Sequence, residues 1–148
     1  MSRGVDVPAA LVRPTMLRRL QHTRPDLVVV DCQTQGLLRV VIVEVTVAYD
    51  SDRNFEAANE RKLRVYQPLV QAIYDSKPDQ NVEISVVVVL VGARGVVPTF
   101  WFNNLKPLNL SRKTAEVLAK QSSAAAIKGS NWIWGLWAAQ AHGSEQSG

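Results

Sequence analysis

The sequence predicts an α/β domain in which helices flank a mixed β-sheet of about four strands. Two valine-rich apolar runs, 40–43 and 86–91, have the length of buried strands. A long amphipathic helical pattern separates them, as in a crossover between neighbouring strands. The 148 residues, 47% hydrophobic and 20% charged, suit one domain with a single core, so we expect one domain over 1–148.

The first elements follow from turn signals. Pro14 favours the start of a short helix, and a proline at position 25 ends it before an extended segment. Two strands, over 26–31 and 37–48, are predicted as a hairpin whose five-residue link ends in a glycine. Asp50, Ser51 and Asp52 offer N-caps for the next helix.

That helix is expected over 53–74, with a kink at Pro68, where one backbone hydrogen bond is lost. A third strand follows over 82–91. Its C-terminal half is apolar on both faces, which predicts a central position in the sheet. A fourth strand is expected over 96–102, and Pro98 favours placing it at an edge.

The C-terminal part of the chain is predicted to be helical. Ser111 is expected to cap a helix that runs to about Lys128, where Gly129 would stop it. A further short helical segment carries Trp132, Trp134 and Trp137, which we expect to pack rather than to stack on bases. The termini, 1–7 and 142–148, are expected to be flexible.

The cysteine content excludes several classes of protein. Cys32 is the only cysteine, so no disulfide can form within the chain. With His22 and His142 as the only histidines, a structural zinc site is not expected. The N-terminus lacks the pattern of a secretory signal, and no apolar run is long enough to span a bilayer. We therefore expect an intracellular protein without a membrane partner.

Positive charge concentrates at the N-terminus. The net charge is +4, and five arginines but only one acid precede Asp26. Such a segment can neutralise the phosphates of a nucleic acid, or it can be the solvated face of a helix. The sequence favours neither interpretation. The five are Arg3, Arg13, Arg18, Arg19 and Arg24.

Three polar residues interrupt apolar patterns. Glu44 shares a strand face with Val40 and Ile42, where an unpaired carboxylate would cost roughly several kcal/mol. Lys62 projects from the centre of the apolar stripe of the 53–74 helix, towards whatever that helix covers. Asp26 opens the first strand and can approach Glu44 across the hairpin.

Two interpretations of these residues stay open. Two carboxylates beside a lysine can bind a hard divalent cation such as Mg²⁺, which activates water and neutralises phosphate charge. Alternatively, Glu44 and Lys62 form a buried ion pair and Asp26 caps the turn after Pro25. Taken singly, the three residues favour the ion pair. Their order along the chain and their sequence context favour the cation site.

Four segments carry a resemblance to a known family. They are Arg24-Pro25-Asp26, Glu44-Val45-Thr46, the helical run from Arg61 to Leu69, and Ala126–Ser130 with Trp132-Ile133-Trp134. In this order they resemble the PD-(D/E)xK nucleases, most closely the restriction-like endonuclease of non-LTR retrotransposon proteins. The likeness covers about residues 24–137. It implies a restriction-endonuclease-like sheet and hydrolysis of DNA phosphodiester bonds with Mg²⁺ or Mn²⁺.

The resemblance also implies roles for individual residues. Asp26, Glu44 and Lys62 would be catalytic, and Asp26, Glu44 and Val45 would bind the metal. The usual lysine two positions after the second carboxylate is Thr46 here, and a lysine on the next helix is taken to replace it in the retrotransposon group. Lys62 matches that position. The expected nucleic-acid contacts are Arg18, Arg19, Arg24 and Tyr66, the last of which can equally be a core aromatic.

Other functions stay open at this point. A catalytically inactive protein with the nuclease fold could serve as a nucleic-acid-binding or scaffold subunit of a larger assembly. A resolvase-like enzyme acting on branched DNA would require a homodimer. Origin from a eukaryotic retroelement would imply a nuclear location.

Overall fold

The computed structural model describes residues 4–20 and 23–143, and in the last helix its side-chain description excludes 132, 134 and 136–143. It has an α/β architecture in which helices flank a three-stranded mixed sheet. The elements are α1 (Pro14–Leu17), continued by a 3₁₀ turn (Arg18–Leu20), β1 (Leu27–Cys32), β2 (Leu38–Ala48), α2 (Asp52–Ser76), β3 (Val82–Gly92), α3 (Trp101–Leu105), a second 3₁₀ turn (Lys106–Leu108) and α4 (Arg112–Gly143).

The strands lie in the order β1-β2-β3. β1 and β2 form the predicted antiparallel hairpin, and Gly36 takes a positive φ of 78° in its turn. β2 and β3 are parallel, so the chain must cross over between them, and α2 is that crossover. The side chain of Ser51 accepts a hydrogen bond from the Asn54 N–H, which confirms Ser51 as the N-cap of α2.

Both faces of the sheet are covered by helices. On one face Val40 and Ile42 pack beneath α2 and the N-terminal segment. On the other face Val41, Val43 and Val87 pack beneath α3 and α4. Because alternate residues of β2 face opposite sides, its apolar run serves both layers of the core.

The predicted fourth strand is absent from the described part of the chain. Within 96–102, Pro98 accepts a hydrogen bond from the Trp101 N–H and begins a turn, and Trp101 then starts α3. The Trp101 side chain is 2% exposed, so burial of the indole on the sheet prevails over the strand-forming tendency of the valines.

The predicted central position of the third strand is wrong, because β2 occupies the centre. β3 is apolar on both faces because helices cover both of them, although no strand pairs with its outer edge in the described residues. Asn104 Nδ2 donates to the Val88 carbonyl at 3.2 Å and satisfies part of that edge.

The predicted helix stop at Gly129 is also wrong. α4 runs without interruption from Arg112 to Gly143. A glycine inside a helix costs only about 1 kcal/mol relative to alanine, and the alanines that precede Gly129 are strong helix formers. The tryptophans of the predicted terminal segment belong to this helix; the side chains of Trp132, Trp134 and Trp137 lie outside the described residues.

Parts of both ends of the chain lie outside the described residues. Of the segments expected to be flexible, 1–3 and 144–148 lie outside the described residues, as does His22. Val5 donates its N–H to the Pro25 carbonyl at 2.7 Å. None of the helices in 4–20 and 23–143 combines the length and the apolar character needed to cross a bilayer.

Candidate active site

The two predicted carboxylates belong to opposed positions of the hairpin, where β1 begins. In the hairpin Leu27 lies opposite Val43, so continuing this register by one residue places Asp26 opposite Glu44. Directly opposed residues of an antiparallel pair share a face of the sheet. Asp26 Oδ2 accepts a hydrogen bond from the Val45 N–H at 2.7 Å, so the Asp26 carboxylate is anchored to the backbone of β2 immediately beside Glu44.

Glu44 is bound by two donors from α2. Its side chain is buried, and Oε1 accepts a hydrogen bond from Lys62 Nζ at 2.5 Å. Oε2 accepts one from the Tyr66 hydroxyl, also at 2.5 Å. Lys62 and Tyr66 are four positions apart and therefore neighbours on one face of the helix. These two bonds compensate a carboxylate that would otherwise be costly inside an apolar sheet.

The structure places the Lys62 amine towards the sheet, as its position on the apolar stripe predicts. The side chain is 28% exposed and that of Glu44 is 10% exposed, so the pair lies at the margin of the core. Lys62 is therefore only partly covered by its neighbours. The chemical role of Lys62 stays a prediction.

Tyr66 is a buried hydrogen-bond donor. Its ring is 3% exposed, and its hydroxyl lies 3.4 Å from the carbonyl oxygen of Arg24 in addition to its bond with Glu44. Burial, the hydrogen bond to Glu44 and the negative charges of Glu44 and Asp26 raise the pKa of Tyr66 well above its usual range. Tyr66 thus stays neutral at physiological pH. In this structure its polar contacts are with the candidate site and not with the surface, where a nucleic acid would bind.

The oxygen atoms at this site suit a hard cation. Asp26 and Glu44 supply carboxylates, and a valine can contribute only its carbonyl oxygen. A strand residue directs its N–H and C=O to the same side, so the Val45 carbonyl faces the side on which Asp26 lies. Two carboxylates and one carbonyl are ligands that Mg²⁺ accepts. No group of three or more Asp, Glu, His or Cys side chains suited to a metal occurs in the described residues. The Val45 carbonyl is a main-chain oxygen that could add to the two carboxylates.

The same contacts fit the ion-pair interpretation. Both oxygens of Glu44 and one oxygen of Asp26 already accept hydrogen bonds from the protein. A cation at Glu44 would have to share or displace one of these donors. The ion-pair interpretation also expected Asp26 to cap the turn after Pro25. Instead, Asp26 accepts a hydrogen bond from the backbone of β2.

The predicted nucleic-acid-binding arginines lie on two segments, the first 3₁₀ turn and the loop that precedes β1. Arg24 lies beside the site, because its carbonyl faces the Tyr66 hydroxyl, and its guanidinium pairs with Asp6 at 3.1 Å. Arg18 and Arg19 are exposed on the first 3₁₀ turn. Arg19 borders a groove with Gln71, which lies more than one helical turn beyond Tyr66 on α2.

Sequence reasoning missed two buried polar side chains near the C-terminal end of β2. Thr46 is 9% exposed. It lies two positions after Glu44 in β2 and therefore on the same face, and this spacing was the signal for its burial. Asp50 was predicted only as a helix cap, but its Oδ2 accepts hydrogen bonds from the Arg94 N–H at 2.8 Å and Nε at 3.2 Å. Nothing in the local sequence indicates this pairing.

No family model, curated protein or solved structure matches this chain. What the site can do must therefore be argued from its own geometry.

Proposed function

We propose that this protein is a metal-dependent endonuclease that hydrolyses phosphodiester bonds of DNA, with a restriction-endonuclease-like sheet. One observation carries the proposal: Lys62 and Tyr66 of α2 converge on Glu44, and Asp26 lies beside it across the hairpin. The order of these residues is that of the retrotransposon endonucleases which the sequence resembles.

Asp26, Glu44 and the Val45 carbonyl would hold Mg²⁺ or Mn²⁺. When bound, such an ion lowers the pKa of water and neutralises charge on the phosphate. Lys62 supplies a positive charge at the margin of the core, suited to stabilising a phosphate oxygen that gains negative charge or to orienting the attacking water. Tyr66 fixes the orientation of Glu44 through its hydroxyl without adding a charge.

The charge of the chain supports a polyanionic substrate. The net charge is +4, and Arg18 and Arg19 are exposed. Arginines on one surface can bind successive phosphates of the backbone and position DNA without reading its sequence. A larger nucleoprotein assembly or a homodimer is compatible with this surface.

A second function has a specific observation in its favour. Because every oxygen of Glu44 is already bonded by Lys62 or Tyr66, the cluster is satisfied without a cation. A catalytically inactive protein with the nuclease fold would keep this cluster for structure and bind nucleic acid through its arginines. Its binding would be independent of divalent cations.

A plasmid-nicking assay with Mg²⁺ or Mn²⁺ separates the two functions. Wild type should convert supercoiled plasmid to the open circle, and Asp26→Ala and Lys62→Ala should each reduce the rate by about 100-fold or more. Arg61→Ala, an exposed neighbour of Lys62, is the matched control and should nick like wild type.

Equal nicking by all four proteins would reveal a contaminating nuclease and contradict the proposed site. DNA binding without nicking under either cation would instead favour the inactive, nucleic-acid-binding protein.

A further inference from the structure

Thr46 is a buried polar residue beside the candidate active site. It is 9% exposed, and its Oγ1 has no hydrogen-bond partner among the described residues. Alternate side chains of a strand share a face, so Thr46 lies on the same side of the sheet as Glu44, beneath α2. A buried hydroxyl without a partner is costly and therefore calls for a functional explanation.

The direction of α2 brings Lys62 to the Thr46 side of Glu44. Near the start of α2, Phe55 and Ala58 pack in the same cluster as Leu90, and Leu90 is the β3 partner of Thr46. Further along α2, Tyr66 bonds Glu44. α2 therefore runs antiparallel to β2, and Lys62, which lies between Ala58 and Tyr66, approaches Glu44 from the direction of Thr46.

The Lys62 ammonium has unused donor capacity. It carries three N–H groups, and the structure gives it one acceptor, Glu44 Oε1. A divalent cation at Glu44 competes with the ammonium for this oxygen, because both are positively charged and Tyr66 occupies the other oxygen. When the cation binds, the ammonium needs a second acceptor close by.

We propose that Thr46 Oγ1 is that acceptor: Lys62 transfers its hydrogen bond from Glu44 to Thr46 when a divalent cation binds Glu44. The inference rests on the proposed function for the presence of the cation. Residues two apart in a strand are separated by roughly 7 Å, a distance that the flexible four-carbon stem of lysine can cover in part by rotating its terminal bonds. Thr46 is then a positioning residue that acts through Lys62, and it keeps the ammonium at the site while the carboxylate is released.

The test measures Mn²⁺ binding by isothermal titration calorimetry in the absence of DNA. Thr46→Val removes the hydroxyl while keeping the branched shape, and it should weaken Mn²⁺ binding roughly tenfold, the effect of one charge-assisted hydrogen bond. Thr46→Ser retains the hydroxyl and should bind like wild type. Lys62→Met removes the competing ammonium, so we expect tighter Mn²⁺ binding and no further effect of Thr46→Val in that background.

Circular dichroism verifies folding of each variant. If Lys62→Met does not fold, the comparison of Thr46→Val with Thr46→Ser in the wild-type background decides, because only loss of the hydroxyl should weaken Mn²⁺ binding. Wild-type Mn²⁺ affinity in Thr46→Val would overturn the inference. An equal loss of Mn²⁺ affinity on Thr46→Val in the wild-type and Lys62→Met backgrounds would also overturn it, because Thr46 would then act on the ion and not through Lys62. If wild type nicks plasmid and binds Mn²⁺ while Thr46→Val is unchanged, only this inference fails; if wild type does neither, the proposed function fails with it.

Discussion

Lys62 Nζ lies 2.5 Å from Glu44 Oε1, although α2 supplies the first residue and the central strand supplies the second. The ammonium is the only charged partner of this buried carboxylate among the described residues. The pair therefore links α2 to the sheet at the position of β2 that lies opposite Asp26.

Replacing Lys62 tests how much this pair stabilises the fold. Lys62→Ala leaves Glu44 buried with Tyr66 as its remaining donor, and we expect the free energy of unfolding to fall by about 1–3 kcal/mol. Urea denaturation at pH 7 measures the change. Arg61→Ala is the control, since a surface substitution should stay within about 0.5 kcal/mol of wild type. A Lys62→Ala value inside that range would show that the pair contributes little to stability.

Tyr66→Phe tests the neutral hydrogen bond to Glu44. At pH 7 we expect a loss of about 1–2 kcal/mol in the free energy of unfolding. The raised pKa of Tyr66 means that folding favours its protonated form, so its contribution is complete below the unfolded value of about 10 and declines as the pH rises above it. The difference between wild type and Tyr66→Phe should therefore shrink above about pH 10. Urea titrations at pH 8 and at pH 10.5 provide the comparison; a difference that stays constant would contradict the shift.

Asp26→Asn separates charge from structure at the candidate metal site. The amide oxygen of asparagine can still accept the Val45 N–H bond, so stability should change by less than about 0.5 kcal/mol. Asp26→Ala loses that acceptor, and we expect it to be about 1 kcal/mol less stable. Both variants should lose nicking activity and Mn²⁺ binding. Full Mn²⁺ affinity in Asp26→Asn would remove Asp26 from the ligand set.

The exposed arginines of the first 3₁₀ turn predict a change in salt dependence. If Arg18 and Arg19 each bind one phosphate, their double replacement by alanine should reduce the slope of log K against log salt by up to about 2. Fluorescence anisotropy of a labelled duplex between roughly 50 and 200 mM salt measures it. Lys113→Gln, on the helix that covers the opposite face of the sheet, is the control. An unchanged slope in the double variant would exclude both arginines from the DNA contact.

Gly129→Ala tests the continuity of α4. A side chain at this position meets open space, so alanine should raise the free energy of unfolding by up to about 1 kcal/mol. Thermal unfolding followed by circular dichroism measures the effect. Destabilisation by alanine would instead support the helix stop that the sequence predicted.

The parts of the fold that could be predicted are those with a strong local period. The hairpin, α2 and β3 follow from alternation, from the apolar stripe and from turn residues, and their ends were predicted to within two residues. Lys62 was recognised because a single charge on an apolar stripe needs a partner, and Glu44 because a carboxylate interrupted an apolar strand.

The missed features depend on contacts between distant segments. β3 is apolar on both faces whether it is central or covered by helices at an edge, so its sequence cannot indicate its place in the sheet. The residues before Trp101 have strand-forming side chains, but burial of the indole determines their conformation. The hydrogen bond from Tyr66 to Glu44 depends on how far α2 is shifted along β2, which local patterns do not encode.

The turn between β1 and β2 has a consequence for chemistry at the far end of the hairpin. Gln33 and Gly36 close this turn through their backbone hydrogen bonds, and its length sets which residues of the two strands are opposed. Deleting one residue from the turn would shift the pairing by one position, and because side chains alternate, Asp26 would then point away from Glu44. A solvent-exposed loop that contacts no site residue thus determines the spacing of the acidic groups, and loop-length variants can disable the centre without altering any of its side chains.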